Sequence, residues 1–380
     1  MAKELNSRER VLLTLEHKEV DRPVLDLGGS DCTTITRIAY QALKESLGLG
    51  QLPERIWSRR FGSVMVDPQM QERLGVDVRP ITWKPSSREV ARRIDESSYI
   101  DDWGLLYKSD GRYFNIAKNP LAEASLGDLE KYDWPDPEDR ARVEGVAEEA
   151  KWWRENSDYA LLGPGVGCTL FEMAWYLRGF ERFLMDMASN KEFAHALMRR
   201  VLDIRKRQYE IFLNEAAPHL DIVYVADDIA MQAGPLMSPK MYREMVKPYH
   251  AEYFKFIKER SGARLFYHSC GGLFPFLEDL AQIGVDILNP IQVSAKGMDV
   301  DKLKSEYGHK LVFWGGLDTQ KILPTGTPEE VAEAAEGLCR ALWSDKTGFA
   351  LSAVHNIQDD TPAENVLAML RAGRQFAGSI

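Results

Sequence analysis

Apolar positions along the chain cluster into eight short runs, separated by longer stretches in which apolar and polar residues alternate at helical spacing. The runs are PVLDLGG (23–29), VDVRPIT (76–82), YALLGPG (159–165), DIVYVAD (221–227), RLFYHSC (264–270), VDILNPI (285–291), KLVFWGG (310–316) and FALSAVH (349–355). Most are rich in Val, Ile, Leu, Phe and Tyr and are bounded by turn residues, which predicts strands. Helical signatures lie between them. In SPKMYREMVKPYHAEYFKFIKERSG, Ser238 can cap the start and Gly262 can stop the end. In GTPEEVAEAAEGLCRALWS, Thr327 is a cap, Pro328 takes the first helical position and Glu330 closes a capping box.

Strands alternating with helices predict a parallel sheet, and eight such strands fit a closed (β/α)8 TIM barrel of the α/β class. The opening stretch MAKELNSRERVLLTLEHKEVDRP predicts an N-terminal helical segment. A barrel needs about 250 residues, and the surplus falls mostly at 83–155. There YIDDWGLLYKSDGRYFNIAKNPLA predicts an inserted hairpin that turns at Ser109-Asp110-Gly111. YDWPDPEDRARVEG predicts a loop leading into a helix. The expected organisation is one barrel domain over 1–380, with no internal repeat. An open doubly wound sheet is the alternative, but GGSDCTT after the first run is a poor phosphate loop.

Composition narrows the function classes. The net charge is −10 and the pI near 5.4, with no basic footprint for nucleic acid. No apolar run approaches the roughly 18–20 residues of a membrane span. The four cysteines, Cys32, Cys168, Cys270 and Cys339, are scattered. That argues against a disulfide framework and predicts a reducing, cytoplasmic setting.

The chemistry collects where the strands end, which in a (β/α)8 barrel is the active face. The first run ends at Gly28-Gly29-Ser30 and the third leads into GPGVGCT. The fourth ends at Asp227-Asp228, with Gln232 following. The fifth ends at His268-Ser269-Cys270, the sixth runs to Gln292, the seventh ends at Trp314 with Asp318 beyond, and the eighth ends at His355-Asn356. His268 and Cys270, two apart on a strand, point the same way and suit zinc. A buried cysteine beside a hydrogen-bonded histidine is the plainer reading of that pair, and His355 at another strand end favours metal. Asp227-Asp228 reads either as a helix cap and turn or as one carboxylate facing the site. Phe171 and Glu172 open a helix after the third strand, close enough to touch it.

Several long motifs, in order, resemble the uroporphyrinogen decarboxylase superfamily: SRERVLLTLEHKEVDRP, ADDIAMQAGPLMSPKMYREMVKPY, HSCGG, GVDILNPIQVSAKGMD, FWGGLDTQKILPTGTPEEV and HNIQDDTPAENV. The resemblance implies a (β/α)8 barrel and one of two chemistries. Corrinoid-linked zinc methyltransferases, the closer branch, move a methyl group between a small substrate and a corrinoid on a separate protein. True decarboxylases remove carboxylates from a tetrapyrrole without a cofactor. For the first, the resemblance implies zinc held by His268, Cys270 and His355, with His355 where the branch has cysteine and Gln292 where it often has glutamate. Asp227 or Asp228 would orient a ligand or substrate, and Gly28, Phe171, Gln232, Gln292 and Trp314 would line the substrate site. For the second, it implies substrate contacts from Asp77, Asp228 and His355 and no metal. The decarboxylases' arginine motif R-Q-A-G-R-Y has no counterpart here, since that region reads DLGGSDCTTI, which favours the methyltransferase branch. A barrel that kept the fold and lost the chemistry is a third reading. Methoxyaromatic, methylamine-like and thiol substrates all stay open, as does a homodimer.

Overall fold

The computed structural model describes residues 4–88, 94–164 and 168–376. Eight strands form the central sheet: β1 (Val24–Leu25), β2 (Val78–Pro80), β3 (Ala160–Gly163), β4 (Ile222–Ala226), β5 (Arg264–His268), β6 (Ile287–Asn289), β7 (Val312–Trp314) and β8 (Phe349–Leu351). Each lies inside one of the eight expected apolar runs. All described pairings in this sheet are parallel, in the order β1-β8-β7-β6-β5-β4-β3-β2. The ring closes between β1 and β2, where the Asp77 N–H donates to the Leu25 carbonyl at 2.9 Å. The fold is a (β/α)8 barrel.

Strand periodicity decides what goes inside. In β4, Ile222, Tyr224 and Ala226 belong to a compact cluster with Val24, Val78, Phe266, Val312 and Trp314, while Val223 and Val225 join the outer core under the helices. Alternate side chains point to opposite faces, so one set fills the barrel and the other packs the helical layer. Val11 and Leu15 of the first helix (Ser7–Leu15) belong to the inner cluster, so this helix plugs the end of the barrel where the strands begin. Asn6 and Glu9 form its capping box.

The end of the barrel where the strands begin carries a repeated device. Asp77, Asp221 and Asp286 each stand one residue before an even-numbered strand. Each gives its backbone N–H to a leucine carbonyl on the preceding strand, at 2.9, 2.9 and 3.1 Å for Leu25, Leu161 and Leu265. Each accepts the same leucine's N–H on its carboxylate, at 2.8, 3.0 and 2.8 Å. Arginines or lysines neutralise the three carboxylates. Asp77, fully buried, takes Arg10 at 2.9 Å and Arg22 at 2.7 Å. Asp221 takes Arg8 and Arg154, and Asp286 takes Lys258 and Arg264.

Two three-stranded antiparallel sheets stand beside the barrel. The expected hairpin is present, with strands Leu106–Ser109 and Phe114–Lys118 and a third strand, Ser98–Ile100, alongside. The Asp110 side chain accepts the Arg112 and Tyr113 N–H groups and sets the turn. The other sheet, Ile35–Thr36, Arg55–Ser58 and Ser63–Met65, was not foreseen. The Thr327–Glu330 capping box and the Ser238 cap are formed, and Gly262 ends its helix at φ 65°. Among the described residues no helix is long and apolar enough to cross a membrane.

Removing the Asp77 charge leaves the half-buried Arg22 without a carboxylate and leaves the buried Arg10 with Asp21 alone. Asp77→Asn is expected to cost about 3–5 kcal/mol of unfolding free energy in urea. Asp286→Asn, whose partners are more exposed, is expected to cost about 1 kcal/mol. Since asparagine can still accept the leucine N–H, equal losses in the two variants would show that the ion pairs are not what matters.

Candidate active site at the strand ends

A cavity of about 650 Å³ opens over the carboxyl ends of the strands. The barrel rim forms its floor, and the two small sheets and the helix Phe171–Arg178 form its walls. His268 closes β5 at the floor. Its Nδ1 lies 2.5 Å from Asn289 Oδ1. The Asn289 amide nitrogen donates to the Trp314 carbonyl, so Oδ1 must be the acceptor toward His268. His268 therefore carries its proton on Nδ1 and turns the lone pair of Nε2 to Cys270 Sγ, 3.5 Å away. His355 is arranged the opposite way. The Asn356 backbone N–H donates to its Nδ1 at 2.8 Å, which leaves the ring proton on Nε2. The two rings meet edge to face, centroids 5.5 Å apart.

Asp227 and Asp228 divide their work. Asp227 is fully buried. Its carboxylate accepts the Phe171 and Glu172 N–H groups at 2.8 and 2.7 Å and sits 2.7 Å from His250 Nε2. It caps the helix Phe171–Arg178 and fixes Glu172 at the cavity wall. Asp228 faces the cavity, and its Oδ1 accepts the Cys270 N–H at 2.6 Å. On the opposite wall the turn Arg59–Gly62 presents Arg60, whose Nη1 donates to Tyr176 Oη at 2.7 Å. Tyr176 in turn donates to Glu172 Oε1 at 3.0 Å.

Burial sets the protonation states. It pushes His268 and His355 down to about 4, the Asn289 bond opposing it for the first and the neighbouring imidazole adding to it for the second. It raises Asp228 to about 6, against the pull of the Cys270 N–H. Glu172 goes up to about 8, from burial and then from the negative charge of Asp228 and Asp227. The Cys270 thiol is held well above its ordinary value by burial and then by Asp228 and Glu172. Near neutral pH the floor has two neutral imidazoles, a thiol, a protonated Glu172 and an ionised Asp228.

Among the described residues, two groups of donor atoms gather within 4.8 Å: Asp228, His268 and Cys270, and Cys32, His268 and His355. His268 belongs to both. The first group offers a lone-paired imidazole nitrogen, a thiol and a carboxylate, a three-donor set that suits zinc with a position left open.

The family model for uroporphyrinogen decarboxylase (URO-D) matches residues 111–376. The chain belongs to the uroporphyrinogen decarboxylase family. It is similar to a methylated-thiol–coenzyme M methyltransferase from Methanosarcina mazei, 26% identical over 257 residues. That match covers 67% of this chain and 65% of the relative, just under two thirds of its length. Uroporphyrinogen decarboxylase from Coxiella burnetii is 24% identical over 148 residues, 38% of each chain. Among solved structures, a methyltransferase from Methanosarcina mazei superposes with a TM-score of 0.64 at 19% identity, covering 99% of this chain and 100% of that one, and so shares the fold.

The structure gathers Asp228, His268, Cys270 and His355 at one end of the cavity and places the other expected residues elsewhere. Asp77 lies at the opposite end of the barrel, tied to Arg10 and Arg22. Gly28 (φ 88°) shapes a tight loop in which a side chain would meet Val66 at 2.8 Å. Phe171 packs in the core against Phe183. Trp314 fills the barrel interior, its indole N–H on Asp26. Gln232 is exposed beside Gln320. The Gln292 carbonyl is occupied by the Gly271 N–H at 2.7 Å, so the side chain braces the loop that follows Cys270. Asp318 caps the turn at Gln320–Ile322. Gly165, Val166 and Gly167, the middle of GPGVGCT, lie outside the described residues. Arg60, Cys32, Cys168 and Tyr176 line the cavity and were not singled out from the sequence.

Glu172 yields a signed expectation. Its folded pKa is raised, so the folded state keeps a proton that the unfolded state releases, and stability falls as pH rises from about 4.5 to about 8. Glu172→Gln removes that loss. In chemical denaturation the variant should gain on the wild type by up to about 1.4 kcal/mol for each pH unit in that window. A constant difference across the window would place Glu172 in an ordinary, solvated environment.

Proposed function

We propose that this chain is a methyltransferase that moves a methyl group between a small substrate and a corrinoid carried by a separate protein, with zinc held at the barrel rim. The observation that carries this reading is the convergence of Asp228, His268 and Cys270 donor atoms within 4.8 Å at the floor of a large cavity. The similarity to a methyltransferase over 67% of the chain supports the transfer chemistry. Bound by these three residues, zinc would supply Lewis acidity to the heteroatom that carries or receives the methyl group.

The protein's own residues do the rest. Asn289 fixes the His268 tautomer so that Nε2 keeps its lone pair toward the metal position. The Asp228 carboxylate holds the backbone of Cys270 and so sets the thiol's position. His355, protonated on Nε2, donates a hydrogen bond to the substrate heteroatom. Glu172 stores a proton on the carboxyl oxygen that Tyr176 does not occupy. When the methyl carbon leaves, the bonding pair stays on the heteroatom, which takes that proton. In the reverse direction Glu172 takes the proton back. The cavity mouth, which faces away from the barrel, is where the carrier protein docks.

Purified protein is expected to carry about one zinc per chain, with Cys270→Ser and His268→Ala lowering affinity roughly 10–100-fold. Glu172→Gln should leave zinc content and KM unchanged and cut transfer to cob(I)alamin about 100-fold. A wild type that stays metal-free after zinc supplementation, with no zinc heat in calorimetry, would sink this mechanism. Production of coproporphyrinogen from uroporphyrinogen above a no-enzyme control would favour the family's decarboxylase chemistry instead.

A further inference from the structure

We infer that the substrate is an aromatic acid, its ionised acid group held by Arg60 and its ring packed among the aromatic side chains of the cavity wall. The inference rests on the methyl-transfer reading only for which end of the substrate reacts. Two other arginines line the cavity and both are engaged. Arg142 is paired with Asp102. Arg205 bonds Gln208 and the Cys168 carbonyl at 3.0 and 2.8 Å. Arg60 is held more loosely. Like Arg205 it forms no ion pair among the described residues, but its guanidinium makes a single hydrogen bond, to a neutral phenol, Tyr176 Oη, and it is half-buried where Arg205 is buried. Its guanidinium lies 4.8 Å from the Tyr176 ring, 5.0 Å from Phe61 and 5.9 Å from Tyr107.

A half-buried guanidinium without a carboxylate is costly to maintain, and its planar fork matches a carboxylate in two parallel hydrogen bonds. The backbone holds it in place. The Phe114 N–H bonds the Arg60 carbonyl at 3.0 Å, so one small sheet pins the turn of the other. The partly exposed rings of Trp57 and Phe61 line the same cavity and offer surface to an aryl group. An aromatic wall alone would also suit a quaternary ammonium. Here Arg60 already supplies the cation, and a second positive charge beside it would be repelled. The substrate therefore spans the cavity, with its acid group at Arg60 and its methylated heteroatom toward His355.

The test is calorimetric titration of the full-length, metal-free chain with 4-methoxybenzoate, methoxybenzene and 4-methoxycyclohexanecarboxylate. Wild type should bind the benzoate about tenfold or more tightly than methoxybenzene, the range expected for a charge-assisted pair. It should bind the saturated acid more weakly than the benzoate. Arg60→Met should erase the preference for the acid while leaving methoxybenzene binding within twofold of wild type, and Arg60→Lys should restore part of it. Equal wild-type affinity for benzoate and methoxybenzene, binding of none of the three, or an undiminished preference in Arg60→Met overturns the inference. The wild-type comparison stands even where a variant fails to fold. No metal or corrinoid enters the titration. Selective binding without methyl transfer thus removes the transfer reading alone, and transfer from methoxybenzene as fast as from the benzoate removes this one alone.

Discussion

Everything above the barrel depends on how the barrel is sealed below. A short-stranded ring has few backbone bonds per strand pair, and β1 offers only two residues. The buried Asp77 makes up the deficit by bonding Leu25 through both its backbone N–H and its carboxylate. The same clamp recurs at Asp221 and Asp286, so that three of the four alternate strand pairs carry it, Gly348 standing before β8 instead. Each clamp introduces a charge, and each charge recruits arginine or lysine. At Asp77 the recruits, Arg10 and Arg22, come from the N-terminal helix and the chain just after it, so the plug is locked to the barrel by the charge that closes it. The strand register is thereby fixed at the lower end, and the upper ends deliver His268, Asp228 and His355 to one level.

That division of labour explains why two aspartates resembled site residues and are placed differently. Asp77 and Asp227 are both fully buried and saturated with donors, one below and one above. A carboxylate with all its lone pairs engaged by arginines or helix N–H groups has nothing left for substrate. Asp228, one residue along, takes a single backbone N–H and keeps its other oxygen toward the cavity. Strand alternation separates the neighbours, and only the packing of the next helix decides which one is the anchor.

The barrel was legible because its signal is local. Each strand is a short apolar run beside turn residues, buried on both faces, with Ile222, Tyr224 and Ala226 turned into the barrel and Val223 and Val225 toward the helices. The clamp was legible in principle too: V-D-V at 76–78, L-D-I at 220–222 and V-D-I at 285–287 share a pattern. Its meaning lies in the preceding strand, which sequence does not place. That His268 and Cys270 lie side by side was legible because residues two apart in an extended stretch share a face, although the strand itself ends at His268. Arg60 was not. It sits in the turn of a short, largely exposed hairpin with no alternation to mark it, and its role comes from Tyr107 and Tyr176, 47 and 116 residues away along the chain. Glu172 was visible only as the start of a helix, and its raised pKa needs Asp227, Asp228 and burial together.

One physical cause runs through the site. Desolvation disfavours every charge at the cavity floor, so it deprotonates the two histidines and protonates Glu172 and Cys270. The result is a floor that holds protons on a carboxyl and a thiol and lone pairs on an imidazole, the opposite of what the same residues do in water. Such a floor can accept a metal only by losing the Cys270 proton, and it can give a proton to a departing heteroatom only from Glu172. Charge is left on Asp228, which the Cys270 N–H supports, and at the rim on Arg60, where partial exposure and ring faces sustain it. A cavity with one ionised carboxylate, Asp228, at its base and a guanidinium at one wall disfavours a substrate that is anionic where it reacts and favours one that is anionic where it is held.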